Sequence, residues 1–125
     1  MGNEKIKDFT DLIVWKEGHK LVLMIYDATN NFPKNERFGL VSQMRRCAVS
    51  ITSNIAEGFG RKGYKEKLQF YYVSSGSLSE LKNQTLIAKD VKYLSEKSFI
   101  DIMQRADSTH KLLNLFISKT KTFVS

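Results

Sequence analysis

The chain has only one cysteine, Cys47, and two histidines among its 125 residues. A single cysteine excludes an intrachain disulfide and a cysteine-rich metal site. It also fits a reducing compartment, so we expect a cytoplasmic protein. The longest apolar runs are a few residues, against the roughly 20 that a membrane-spanning helix requires. The first residues carry no apolar run of signal-peptide length. The sequence therefore predicts a protein without membrane segments.

Proline and glycine are also scarce, with one proline and seven glycines. Where helix-breaking residues are rare and apolar residues recur every three or four positions, the pattern is typical of amphipathic helices. Pro33 marks the first break, because the residue before a proline disfavours helix. Gly58 and Gly60 mark the second break. The pattern predicts one domain, 1–125, with helices near 11–30, 36–58, 64–94 and 96–118.

Each predicted helix carries one apolar stripe with a period near 3.5 residues, which favours helices packed nearly parallel or antiparallel. Short links make consecutive helices antiparallel neighbours. We therefore predict an all-α, antiparallel up-down-up-down four-helix bundle. The stripes are Leu12, Trp15, His19, Val22, Tyr26 and Thr29; Val41, Met44, Ala48, Ile51 and Ile55; Leu68, Tyr71, Ser75, Leu78, Leu81, Thr85 and Ala88; and Phe99, Ile102, Ala106, Thr109, Leu113 and Phe116.

Positive charge is in excess, with 20 Lys and Arg against 13 Asp and Glu, or a net charge of +7. Segment 37–67 holds seven basic residues against two acids, with Phe59 and Tyr64 among them. Clustered cations bind phosphates, and aromatic rings can stack on unpaired bases. The alternative is a solvated, charge-rich link between helices. The candidate nucleic-acid-binding residues are Arg45, Arg46, Arg61, Lys62 and Lys65.

Small polar residues lie opposite the apolar stripe of the second helix. A solvated helical face usually carries long Glu and Lys side chains, whereas Ser and Asn form helix poorly. The pattern therefore favours a packed or ligand-facing surface over simple exposure. Its members are Gln43, Arg46, Ser50, Ser53, Asn54 and Glu57.

The third helix has a similar feature, Ser74-Ser75-Gly76-Ser77, near its middle. A mid-helix glycine costs about 1 kcal/mol relative to alanine, so some gain must offset it. Small side chains let two helices approach closely, either inside the bundle or between subunits. Glu80 lies four residues after Gly76 on the same face and could pair with Arg46 or another basic residue.

The sequence offers little for catalysis, and we expect no enzyme, no metal and no cofactor. His19 lies on an apolar stripe and is predicted to be a hydrogen-bonded core residue. Gly58 to Gly63 follows a helix rather than a strand, which is not the context of a phosphate-binding loop. Arg105 and His110 have a spacing that resembles the motif of helical HEPN ribonucleases, where the histidine would act as a general base. No other feature of the sequence supports that third hypothesis.

The sequence resembles the four-helix-bundle proteins of the 23S rRNA intervening-sequence family. The resemblance spans most of residues 9–94, and the Ser-Asn-Ile-Ala-Glu-Gly run at 53–58, with an arginine after it, is its most specific part. Two positions depart from the family pattern, since Ser75 stands where alanine is common and Lys82 where an acid is common. The matching stretches are 9–16, 32–40, 43–51, 53–58 and 76–81.

This resemblance implies an antiparallel bundle that assembles as a ring-like homopentamer. A related branch, the accessory protein of diversity-generating retroelements, implies nucleic acid and a reverse transcriptase as partners. The leading hypothesis is thus a non-enzymatic, oligomeric nucleic-acid-binding protein; the alternative is a homopentameric assembly scaffold that binds no nucleic acid. The residues that match the family signature are Arg46, Asn54, Glu57, Gly58, Arg61, Gly76, Ser77 and Glu80.

Overall fold

The computed structural model describes residues 5–124, which form four α-helices and no strand within that range. Each helix packs against two neighbours, since the first and third helices both lie between the second and the fourth, and no two Cα atoms of diagonally opposed helices lie within 8 Å. Because the links are short, consecutive helices run antiparallel. The predicted all-α, antiparallel four-helix bundle is confirmed. The helices are α1 (Ile13–Thr29), α2 (Leu40–Phe59), α3 (Tyr64–Asp90) and α4 (Glu96–Lys121).

The second helix begins four residues later than predicted, because a 3₁₀ turn (Lys34–Glu36) precedes it. The Leu40 backbone N–H donates to Glu36 Oε1 at 3.1 Å, and the Tyr93 hydroxyl donates to Glu36 Oε2 at 2.8 Å. Glu36 therefore supplies the acceptor that the first turn of α2 needs, from outside the helix. These two hydrogen bonds hold the pKa of Glu36 below its usual value.

The third helix ends at Asp90, short of the predicted 94. Lys92 adopts a left-handed backbone with φ 70°. The N–H of Lys92 donates to the Lys89 carbonyl at 2.9 Å, and that of Tyr93 donates to the Ala88 carbonyl at 2.8 Å. This is the Schellman arrangement that closes many helices, normally around a glycine. Because lysine, and not glycine, occupies this left-handed position, the sequence did not indicate the end of the helix.

The stripes predicted for α2, α3 and α4 largely match the buried positions, whereas only three of the six residues predicted for the first stripe are buried. His19 and Tyr26 are exposed, and the His19 ring stacks on Trp15 with centroids 4.7 Å apart. His19 is therefore not the core residue that was predicted. The buried face of α1 consists of Val14, Gly18, Leu21, Val22, Ile25 and Thr29.

Gly18 lies on the buried face of α1, next to α2. A Cβ at Gly18 would lie 3.0 Å from Thr52 Cγ2, so α1 approaches α2 closely at that point. A Cβ at this position would require Thr52 to shift by a few tenths of an ångström, so glycine favours the close packing. The predicted stripe through Trp15, His19 and Tyr26 passes beside Gly18. Among the described residues, no helix combines the length and apolar character needed to cross a membrane.

Candidate nucleic-acid interface

The five predicted basic residues fall into two groups at the two ends of α2. Arg45 and Arg46 lie in its first turns, whereas Arg61, Lys62 and Lys65 lie in or just after the link to α3. Thirteen helical steps of about 1.5 Å separate Arg46 from Phe59 at the end of α2, or about 20 Å, and Arg61 follows two residues later. The two groups therefore form distinct surfaces within one chain.

The first group borders a groove of about 590 Å³ on α1, α2 and the segment before α2, which we call the arginine groove. Its lining contains three arginines and no Asp or Glu, so the groove attracts anions. Arg37 was counted in the basic segment but was not predicted as a site residue. The lining residues are Tyr26, Arg37, Phe38, Val41, Ser42, Arg45, Arg46, Val49 and Ser50.

Arg45 is held in place by contacts with the end of α1. Its Nε donates to Thr29 Oγ1 at 2.9 Å and its Nη2 donates to Asn30 Oδ1 at 3.0 Å. Its guanidinium carbon lies 4.7 Å from the centroid of the Tyr26 ring, a cation–π geometry. Arg45 thus joins α1 to α2 and presents a fixed positive charge to the groove.

Arg46 and Arg37 are exposed, and neither has an ion pair or a side-chain hydrogen bond with any residue of 5–124. Their guanidinium groups are free to meet a phosphate. Phe38 lies beside them with 88% of its surface exposed. Sequence reasoning missed Tyr26 and Phe38, because only the packing of α1 against α2 places them in one groove.

The second group is partly neutralised by neighbouring acids. Arg61 Nη2 lies 2.8 Å from Glu57 Oε2, Arg61 Nη1 lies 3.9 Å from Glu66 Oε2, and the guanidinium also covers the Phe70 ring. Lys62 and Lys65 are exposed and have no ion pair within residues 5–124. This link therefore offers a weaker anion surface than the arginine groove.

Small polar residues of α2 meet those of α3 inside the bundle. Ser50 Oγ lies 2.9 Å from Ser77 Oγ, and Ser74 Oγ donates to the Ile51 carbonyl at 2.8 Å. Asn54 Nδ2 donates to the Ser50 carbonyl at 2.8 Å. Of the two roles expected for these small polar residues, packing between helices describes Ser50 and Ser77, whose side chains meet between α2 and α3. Ser53 and Glu57 are exposed.

The two glycines of the family signature differ in their surroundings. A Cβ at Gly58 would lie 2.7 Å from Tyr71 Cε1 and 2.8 Å from Phe70 Cβ, so Gly58 permits close packing of α2 on α3. A Cβ at Gly76 would meet no heavy atom within 4 Å. The bundle itself therefore gives no reason for a glycine at position 76.

Glu80 does not pair with Arg46, contrary to the expectation. Its Oε2 accepts a hydrogen bond from Gln84 Nε2 at 3.3 Å. It also lies near Cys47, whose Sγ donates to the Ser77 carbonyl at 3.0 Å. Burial, and then the negative charge of Glu80, raise the pKa of the Cys47 thiol to about 12. A thiol of that kind is a poor nucleophile at neutral pH.

Arg105 and His110 point to different neighbouring helices. Arg105 Nη1 lies 2.7 Å from Glu17 Oε1 on α1. His110 Nδ1 lies 3.0 Å from Lys82 Nζ, and its Nε2 lies 2.9 Å from Ser75 Oγ, both on α3. The lysine ammonium is only a hydrogen-bond donor, so Nδ1 of His110 accepts its hydrogen bond and Nε2 of the neutral ring carries the proton. The pair forms no joint site, and this histidine cannot take a proton from Ser75.

No metal-binding group of three or more His, Cys, Asp or Glu residues occurs within 5–124. The geometry thus describes an α-helical bundle with an arginine-lined groove on one side and an uncovered mid-helix glycine on α3. The profile of the 23S rRNA-intervening sequence protein family matches residues 10–115. The match covers most of the chain, and the protein belongs to that family.

Among solved structures, the fold is similar to that of a protein of unknown function from the S23 ribosomal protein family of Bacteroides thetaiotaomicron, with a TM-score of 0.76. The two sequences are 18% identical, and the similarity covers 84% of this chain and 98% of that chain. At this identity the likeness shows the fold alone. No curated protein sequence matches this chain.

Proposed function

We propose that the protein is a non-enzymatic, oligomeric nucleic-acid-binding protein of the cytoplasm that contacts phosphates through basic residues at the two ends of α2. The observation that carries the proposal is the arginine groove, where Arg37, Arg45 and Arg46 line about 590 Å³ without an acidic residue. Arg61, Lys62 and Lys65 form a second, weaker contact at the other end of α2, about 20 Å away.

Oligomerisation would strengthen weak contacts of this kind. One chain has a formal charge of +7, so a homopentamer would carry five times +7, or about +35. Several grooves on one assembly would engage one strand at a high effective concentration. Retention of nucleic acid would then depend steeply on salt, because each phosphate contact releases counterions.

Filter binding of RNA and DNA across a salt series tests the proposal. We expect binding at about 50 mM salt and a steep loss towards about 200 mM. The variant Arg46→Gln should weaken binding, whereas Lys111→Gln should not. Lys111 is the control, because it is exposed on α4, the helix diagonally opposite α2 in the bundle. Absence of binding at about 50 mM salt would refute the proposal.

A second candidate is a homopentameric scaffold that docks protein partners, of which a reverse transcriptase is one, and binds no nucleic acid. Gly76 favours it, because no contact within the bundle requires a glycine at that position and the exposed Val73 and Ile87 share its face of α3.

Light scattering should show a smaller mass for Gly76→Leu and an unchanged mass for Gln104→Leu on the exposed face of α4. An unchanged mass for Gly76→Leu would contradict the scaffold.

A further inference from the structure

Phosphate binding does not account for the exposed aromatic side chains in the arginine groove. Phe38 is 88% exposed, and Tyr26 and Val49 are exposed along the same groove. All three side chains line the groove together with Arg37, Arg45 and Arg46. The groove therefore offers apolar surface and positive charge together.

We propose that the arginine groove binds single-stranded nucleic acid, with an unpaired base stacked on Phe38 and the flanking phosphates bound by the groove arginines. This inference rests on the proposed function and names the substrate class of the same site. The base supplies a flat apolar surface that stacks on the Phe38 ring, and the negatively charged phosphates pair with the positively charged arginines.

The geometry around Phe38 leaves room for such a base. The Arg37 guanidinium carbon lies 5.5 Å from the ring centroid, and most of the ring surface remains accessible. A volume of about 590 Å³ lies within the range of about 300–1,000 Å³ typical of ligand sites. Arg45 is already fixed by Thr29 and Asn30, so one phosphate contact is ordered before the ligand arrives.

Charge and stacking together favour a single strand over a duplex. In a duplex the bases stack on each other, and their faces are not available to a protein ring. Only the phosphates of a duplex could then use the groove, and Phe38 would gain no contact. A single strand offers both groups, and stacking is tolerant of sequence because every base has a π-face.

The experiment measures fluorescence anisotropy of a labelled single-stranded oligonucleotide of about 12 nucleotides, and of the same strand in a duplex, across a salt series. We expect Phe38→Ala and Phe38→Leu to weaken single-strand binding about fivefold or more, and Phe38→Tyr to retain it. Duplex binding should not change. Leucine keeps an apolar side chain without an aromatic face, so it separates stacking from simple burial.

The salt slope distinguishes stacking from phosphate contact. Phe38→Ala should leave the slope of log K against log salt unchanged, whereas Arg46→Gln should lower it by about 0.7 for a single strand. A 2-aminopurine base in the oligonucleotide should lose fluorescence on binding to the wild type and keep it with Phe38→Ala.

Three results would overturn the inference. Equal single-strand affinities of the wild type and Phe38→Ala would refute stacking but leave phosphate binding intact. A change in oligomer mass for Phe38→Ala, measured by light scattering, would identify Phe38 as a subunit contact. Failure of the wild type to bind either nucleic acid at about 50 mM salt would refute the proposed function as well.

Discussion

Ser50 Oγ lies 2.9 Å from Ser77 Oγ, joining the middle of α2 to the middle of α3. Asn54 Nδ2 donates to the same Ser50 oxygen at 3.1 Å, and Cys47 Sγ donates to the Ser77 carbonyl at 3.0 Å. Short side chains at these positions let the two helices approach closely enough for their polar atoms to pair. The small polar residues of α2 therefore contribute to packing as well as to the surface.

We expect Ser50→Ala and Ser77→Ala each to lower the free energy of unfolding by about 0.5–1.5 kcal/mol, because each removes one member of a hydrogen-bonded pair. The double variant should lose less than the sum of the two. Urea unfolding of the four proteins measures this coupling. Ser53→Ala is the control, since Ser53 is exposed, and its effect should stay within about 0.5 kcal/mol. Strict additivity of the two changes would contradict the paired geometry.

Gly58→Ala should destabilise the bundle although alanine is the better helix former. The added Cβ would lie 2.7 Å from Tyr71 Cε1 and 2.8 Å from Phe70 Cβ, so α2 and α3 must move apart. Overpacking of this kind costs about 1–3 kcal/mol, more than the roughly 1 kcal/mol that alanine gains in a helix. Thermal or urea unfolding gives the difference.

Gly63→Ala is the matched control for Gly58→Ala. No heavy atom lies within 4 Å of a Cβ at Gly63, and its φ of −87° suits any residue. Gly63 is the N-cap of α3, where alanine is less favourable than glycine, so Gly63→Ala should lose no more than about 1 kcal/mol. A Gly58→Ala protein as stable as Gly63→Ala would show that the α2–α3 contact is looser than the structure indicates.

The sequence predicted the bundle well where apolar side chains themselves make the contact. On α2, the stripe through Met44, Ala48, Ile51 and Ile55 is fully buried, because these side chains fill the space between the helices. On α1, Gly18 lies within the buried stripe and has no side chain to mark it. The glycine interrupts the apolar pattern of Val14, Leu21 and Ile25, and the prediction followed the neighbouring stripe through Trp15, His19 and Tyr26 instead.

The candidate site was predicted only in part, for a related reason. Arg45 and Arg46 were visible as a basic pair, but Tyr26 is about twenty residues away in the sequence and joins them only through the packing of α1 on α2. The apolar pattern of α1 placed Tyr26 in the core, whereas it is 41% exposed. The wrong choice of buried face for α1 therefore also hid the place of Tyr26 in the groove.

Cys47 should react slowly with thiol reagents in the folded protein. Burial and the nearby Glu80 carboxylate raise its pKa to about 12, so only about one thiol in ten thousand is ionised at about pH 8. In denaturant the thiol should react at the ordinary rate of a cysteine with a pKa near 8.5. Reaction with a chromogenic disulfide measures both rates. Fast labelling of the native protein would contradict the buried thiol.

His110 lies near two charged groups of opposite sign, Lys82 and Asp107. The Lys82 ammonium is 3.0 Å from its Nδ1 and also 2.9 Å from Asp107 Oδ1. Burial, and then the positive charge of Lys82, lower the pKa of His110, while Asp107 raises it to a smaller extent. The folded state therefore favours the neutral imidazole over the imidazolium.

This preference makes stability depend on pH in a definite direction. Unfolded His110 has a pKa near 6.5, so below that pH the unfolded chain binds more protons than the folded one and stability rises with pH. The contribution is complete above about pH 6.5 and is lost as the pH falls through the lowered pKa of the folded state. Urea unfolding at several pH values between about 5 and 7.5 should show this slope. His110→Asn should reduce the slope and His19→Asn should retain it, because His19 lies outside this cluster on the exposed face of α1. A slope that survives His110→Asn unchanged would mean that another group carries it.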